Sequence, residues 1–174
     1  LNAPYATGDL LFYSSGNVTI NDVSSLVGNL TVSSVGTVNI DDTSSLEGKI
    51  KIDNTRASTG DDIIIHKANN AKSVEIVSVG SFTANTNNGL DEATTIKVTA
   101  AENSTISAVK NVSRSVSLNS NNIDGESVTF DIDINNISDL NLGGISPIVV
   151  KLTGEDLDGV KINSTNSATS TIKP

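Results

Sequence analysis

The chain contains no cysteine, tryptophan or methionine, and its 174 residues include only two tyrosines and three phenylalanines. Without cysteine there is no disulfide framework and no thiolate-held zinc or iron–sulfur centre. Sugar-binding sites commonly stack their ligand on aromatic rings. Here Tyr5, Phe12 and Tyr13 sit together near the start of the sequence, and only Phe82 and Phe130 follow. Positive charge is also scarce: 11 Lys and Arg stand against 20 Asp and Glu, a net charge of −9. Such a surface repels phosphate backbones, so no nucleic-acid partner is expected. No apolar run approaches the roughly 18 residues needed to span a bilayer, so no transmembrane segment is expected. Leu1 opens a polar stretch with no basic region, so the sequence shows no signal peptide. Lacking an initiator Met, it is expected to be a fragment or a processed product. A sustained 3.6-residue apolar stripe is missing too, and helix is expected to be minimal.

What is present is a repeat. Residues 16–35 read GNVTINDVSSLVGNLTVSSV and residues 36–55 read GTVNIDDTSSLEGKIKIDNT. Gly16/Gly36, Val18/Val38, Ile20/Ile40, Asp22/Asp42, Leu26/Leu46 and Gly28/Gly48 are identical at an offset of 20. Fixed self-similarity at such a period marks a chain that stacks on itself. Apolar pairs at i, i+2 continue beyond the repeat. They are Leu30/Val32, Ile50/Ile52, Ile63/Ile65, Val74/Ile76, Ile96/Val98, Val116/Leu118, Val128/Phe130, Ile132/Ile134, Leu140/Leu142 and Val160/Ile162. Period two places both members of a pair on one face of a strand. The Gly, Asn, Asp and Ser clusters between pairs are turn formers.

Short strands with frequent turns suit a parallel β-solenoid (β-helix) or an antiparallel β-sandwich. Hairpins do not require identical residues 20 positions apart. A solenoid does, because each position lies on its equivalent one coil later. The expected fold is therefore an all-β parallel solenoid with coils of about 20 residues, the sandwich being the alternative. Leu26 and Leu46 would stack inside. Asp22 and Asp42 would stack at a corner, where a cation or a hydrogen-bond ladder would have to relieve their repulsion. Residues 1–15 read as a cap or linker, 16–162 as the solenoid, and 163–174 as a linker or edge strand. The region 80–112 is less regular, and within it 83–95 reads as a long polar loop before Ile96.

Four acidic clusters are candidate metal ligands: Asp41 with Asp42, Asp61 with Asp62, Asp131 with Asp133, and Asp156 with Asp158 beside Glu155. Hard carboxylate oxygens on turns suit Ca²⁺, which accepts irregular coordination. The same residues also serve as ordinary solvated turn formers, and no EF-hand loop or GGxGxD nonapeptide occurs. His66 is the only histidine and follows Ile63, Ile64 and Ile65, which reads as a strand-end surface position. No set of residues makes a case for catalysis, so no catalytic residue is assigned and a non-enzyme is expected. An ice-binding threonine array is broken, since Thr19 gives way to Asn39 and Thr31 to Lys51 one repeat later. Six sequons begin at Asn17, Asn29, Asn103, Asn111, Asn136 and Asn163.

The segments SVGTVNIDDTSSLEGKIKID (34–53), NAKSVEIVSVGSFTANTNN (70–88) and ATTIKVTAAENSTISAV (93–109) carry a further signal. With their acidic, cysteine-free, Val/Thr/Ser/Asn-rich style, most of 16–162 resembles the repeats of surface-layer (S-layer) proteins of Gram-negative bacteria exported by type I secretion. The resemblance implies a β-solenoid lattice subunit outside the cell. It implies calcium-dependent lateral assembly with copies of itself, and anchoring through lipopolysaccharide by a domain outside this chain. No single ligand residue carries over by motif. The alternative expectation is a secreted adhesin whose 83–95 loop recognises a glycan or a host protein.

Overall fold

A computed structural model describes residues 7–23, 27–43, 46–56, 60–68, 70–84, 90–108, 114–166 and the backbone of 170–173. The alternating Val, Ile and Leu positions become short strands, and no helix occurs among the described residues. One sheet holds β1 (Leu10–Ser14), β3 (Leu30–Ser34), β5 (Lys49–Asp53), β7 (Ser73–Val77), β9 (Thr95–Ala100), β11 (Arg114–Ser120), β13 (Ile137–Gly144) and β15 (Lys161–Ser164). The other holds β2 (Val18–Ile20), β4 (Val38–Ile40), β6 (Ile63–Ile65), β8 (Phe82–Ala84), β10 (Ser104–Ala108), β12 (Val128–Ile134), β14 (Ile148–Thr153) and β16 (Ser170–Lys173). The chain passes from one sheet to the other at every strand. Neighbours within each sheet are parallel. This is a two-sheet parallel β-solenoid, and the antiparallel sandwich is excluded.

The repeat is the stacking register. Val18 pairs with Val38 and Ile20 with Ile40, while Leu30 pairs with Ile50 and Val32 with Ile52. Later coils vary in length, from an offset of 19 between Ile63 and Phe82 to 26 between Ser104 and Phe130. The extra residues fall between strands, as in the corner stretch 121–127, so inward rows stay aligned while the period drifts. Paired strands extend past 16–162 at both ends: β1 is the first rung of its sheet and β16 the last of the other.

The interior is aliphatic. Ile20, Leu30, Val32, Val38, Ile40, Leu46, Ile50, Ile52, Val74, Ile76, Ile96 and Val98 are all buried, with Phe82 and Phe130 as the large aromatic members. Each such side chain contributes on the order of 1.5–3 kcal/mol relative to exposure. Leu26 lies outside the described residues, so the stacking of its row rests on Leu46.

Asparagine and aspartate join successive coils at the corners. The side-chain oxygen of one coil accepts a backbone N–H of the next. Asn17 Oδ1 takes the Thr37 N–H at 3.0 Å, Asp62 Oδ1 that of Ser81 at 2.8 Å, and Asn103 Oδ1 that of Thr129 at 2.8 Å. At the opposite corner Asp9 serves Asn29 at 2.9 Å, Asn29 serves Lys49 at 2.8 Å, and Asn135 serves Glu155 at 2.7 Å. A short polar side chain reaches a neighbouring backbone about 4.8 Å away, where a longer one would overshoot. Asn and Asp are therefore chosen at these positions for stacking as well as for turning.

Candidate functional site

The candidate ligands are dispersed around the solenoid. Asp41 and Asp42 lie at the corner between β4 and β5, whereas Asp61 and Asp62 lie at the opposite corner, just before β6. Asp131 and Asp133 alternate on the outward face of β12, both exposed. Asp156 and Asp158 occupy the exposed turn before β15, with Asp156 in the left-handed region at φ 55°.

Several of these carboxylates already have protein partners. Lys67 Nζ donates to Asp42 Oδ2 at 3.1 Å, and His66 Nε2 lies 3.8 Å from Asp41 Oδ1. Asp22, Asp42 and Lys67 fall on consecutive coils: the Val23 N–H donates to the Asp42 carbonyl, and the Thr43 N–H to that of Lys67. The repulsion anticipated between Asp22 and Asp42 is thus met by a lysine one coil further on. Asp62 Oδ1 accepts from both the backbone N–H and the hydroxyl of Ser81, each at 2.8 Å. Asp61 Oδ1 accepts from Thr37 Oγ1 at 3.3 Å. Among the described residues, no three His, Asp or Glu side chains are grouped so as to hold one metal ion.

An acidic groove that the sequence reading did not single out lies at the corner between β9 and β10 and between β11 and β12. It encloses about 700 Å³ and is lined by Ser81, Glu102, Asn103, Asn122, Asp124 and Glu126. Asn122 shapes its rim. Its Oδ1 accepts the N–H groups of Asp124 at 3.0 Å and Glu126 at 3.1 Å, while its Nδ2 donates to the Ala101 carbonyl at 3.2 Å. The sequence signal was the polar NSNNIDGES run (119–127), an insertion relative to the 20-residue period.

The outward face of the first sheet carries a charge ladder. Lys51, Glu75 and Lys97 are register partners on three successive strands. Their charged groups lie 4.0 and 3.6 Å apart, and the side chains are roughly half exposed. Parallel stacking sets like positions side by side, so alternating sign relieves what a uniform row would suffer.

Arg114, also missed at sequence level, is a cation inside the solenoid. It is fully buried at the start of β11. Its Nε donates to the Ala93 carbonyl at 3.0 Å, Nη1 to the Asn135 carbonyl at 2.6 Å, and Nη2 to the Asp91 carbonyl. Those acceptors lie in the loops leading into β9 and β13, so one guanidinium ties together the corners of three coils. Burial lowers its pKa from the ordinary arginine value, and the nearby charges of Asp91 and Glu92 oppose that shift. A fork of fixed donors is what this arrangement of carbonyls requires. Nothing in the spacing of isolated Arg and Lys residues distinguished Arg114 from exposed ones.

Residues 85–89 of the 83–95 loop and sequon Asn111 lie outside the described residues. The described part of the loop turns inward, with Leu90, Asp91 and Ala93 buried. His66 directly follows β6, with its side chain partly exposed. No helix among the described residues is long and apolar enough to cross a membrane.

Comparison with family models, curated proteins and solved structures finds no match.

Proposed function

We propose that the chain is a non-catalytic structural segment of an extracellular surface layer, a stiff spacer whose acidic corners meet lattice neighbours through bridging calcium. The observation that supports this reading most is the regular two-sheet solenoid whose carboxylates point outward from its corners and flanks. Stacked backbone ladders and aliphatic rows make such a body a rod in which each coil contacts chiefly its neighbours. Asp131, Asp133, Asp156 and Asp158 are the outward carboxylates most available to a cation shared between copies, followed by Asp41, Asp42, Asp61 and Asp62, which already have protein partners. Anchoring to lipopolysaccharide would fall to a domain outside this chain.

Negative-stain electron microscopy with light scattering, first in millimolar calcium and then in excess chelator, tests the proposal. Sheets or large two-dimensional particles that form with calcium and dissolve in chelator are the expected outcome. A chain whose state does not change with calcium would remove calcium bridging from the reading.

The groove at Glu102, Asn103, Asn122, Asp124 and Glu126 favours one second reading. Its amides and carboxylates would suit the hydroxyls of a glycan, as an adhesin would require. Glycan-array binding by a monomer, lost in Asn103→Ala, would shift the function to recognition.

A further inference from the structure

The two outward faces of the solenoid differ in charge. On the first sheet, the successive strands β5, β7 and β9 expose Lys49, Lys51 and Lys97, and Lys72 is exposed at the entrance to β7. Two carboxylates stand on the same strands. Glu75 is shared between Lys51 and Lys97, at 4.0 and 3.6 Å. Asp53 accepts from the N–H and the hydroxyl of Thr55, at 2.8 and 2.6 Å. Glu47 lies beyond them, at the corner before β5. Lys49 and Lys72 form no ion pair among the described residues. Four of the chain's 11 basic residues are thus gathered on one face of a protein that carries 20 acidic ones.

The opposite sheet has the reverse balance further along the axis. β12 presents Asp131 and Asp133 outward, both exposed. The corner leading into β12 adds Asp124 and Glu126, and the corner leading into β10 adds Glu102, all exposed. None of these five carboxylates forms an ion pair among the described residues. Lys151, the register partner of Asp131, is the one cation on β10, β12 and β14.

Both patches stand on flat ground. Their outward neighbours are Ser73, Thr95 and Thr99 on the first sheet and Thr83, Thr105 and Thr129 on the second. Such short side chains let two sheet faces approach to roughly 10 Å, a gap that lysine and glutamate side chains reach across. Within one copy the patches cannot meet, because the buried core lies between the sheets. The cations that the acidic face lacks are therefore present on the far side of the same chain.

We propose that the lysine face of β5, β7 and β9 is a self-association surface whose partner is the acidic face of a second copy, around Glu126, Asp131 and Asp133. The contact is heterologous. Each copy offers its lysine face to one neighbour and its acidic face to another, so copies add side by side in an open row unless a rotation closes it. Lysine ammonium groups supply the positive charge, and no calcium is required. The contact goes beyond the calcium bridging proposed above, and chelator separates the two.

Sedimentation equilibrium with light scattering in excess chelator tests it. At about 0.1 M salt the Debye length is about 10 Å, which screens the net repulsion of two acidic copies more than it screens charges in contact. Concentration-dependent association is expected there and should weaken at about 1 M salt, where the Debye length is about 3 Å. Lys49→Glu with Lys72→Glu should raise the concentration needed about tenfold. Asp131→Lys with Asp133→Lys should do the same. An equimolar mixture of the two doubly substituted chains should recover association, because the reversed lysine face of one fits the reversed acidic face of the other. Carbodiimide cross-linking of mixed isotope-labelled and unlabelled chains needs no substitution and reads the contact directly. Expected are amides between Lys49, Lys51, Lys72 or Lys97 of one copy and Glu126, Asp131 or Asp133 of another, with the Lys51–Glu75 pair as the intrachain control. A monomer at high concentration in chelator would overturn the proposal, as would association indifferent to both reversals or amides that join other surfaces. Polyaspartate bound by the lysine face, with no association between copies, would give that face to an anionic partner instead.

Discussion

At the scale of the residue, Arg114 shows how much one interior position can hold. Its guanidinium donates to the carbonyls of Asp91, Ala93 and Asn135 in the corners of neighbouring coils. Arg114→Ala removes all three of these hydrogen bonds and leaves a cavity in the corner. We expect a loss of about 3–5 kcal/mol, the scale for breaking a buried charged network, measured by urea denaturation. Arg114→Lys should recover only a small part, because one ammonium cannot reproduce the planar fork. Leu46 is the apolar counterpart. It is fully buried, and Leu46→Asp places a carboxylate in the interior. A loss of several kcal/mol is expected in the same assay. Near-neutral stability would mean that Leu46 faces water. The two residues differed in legibility. Leu46 announced itself through the repeat, whereas Arg114 has no repeat partner and looks like a surface cation until the corner closes around it.

At the scale of the element, the unit is the coil: two short strands and two corners. Strand identity was legible because inward Val, Ile and Leu alternate with Thr, Ser, Asn and Lys. AKSVEIVSV, for example, contains β7 and not a helix. Strands built on small or sparse apolar residues were less visible. β8 is Phe-Thr-Ala and β10 is Ser-Thr-Ile-Ser-Ala, and neither shows two bulky residues at i, i+2. Their inward positions are set by the strands beside them. Corners follow a different logic, in which close approach of stacked backbones excludes a Cβ. Gly36→Ala should therefore cost about 1–3 kcal/mol through overpacking, while Gly16→Ala, at the same repeat position but with no atom of a described residue within 4 Å of the added Cβ, should leave thermal stability unchanged within about 0.5 kcal/mol. Differential scanning calorimetry on dilute monomer distinguishes the two. Equal effects would mean that the glycines are retained for turn conformation and not for stacking.

At the scale of the whole molecule, stability is a sum over coils and their interfaces. Removing one complete unit should preserve the fold. Deletion of residues 16–35, which excises one period and joins Ser15 to Gly36, brings Leu10 over Ile50 in the register that Leu30 now occupies. A folded, β-rich protein with a smaller denaturant m-value is expected, in proportion to the surface lost. Deleting residues 16–25, half a period, should abolish the cooperative transition, because inward rows would no longer align. Circular dichroism with urea titration checks both. The acidic clusters also look different at this scale. Neighbours in sequence such as Asp61 and Asp62 remain neighbours, but the clusters separate onto opposite corners and the outward face of β12.

The sequence by itself determined that the chain is all-β and that the early coils repeat every 20 residues, and it favoured parallel stacking over the sandwich that the sheet pairing then excluded. These follow from local alternation and from identity at a fixed offset, both properties of the linear pattern. Tertiary structure alone decided where the variable coils place their extra residues, which carboxylates are engaged by Lys67 or by Ser81, and why an arginine is buried. Each depends on groups 19 to 26 residues apart becoming adjacent. Only closure of the coil sets which side chains then share one small volume.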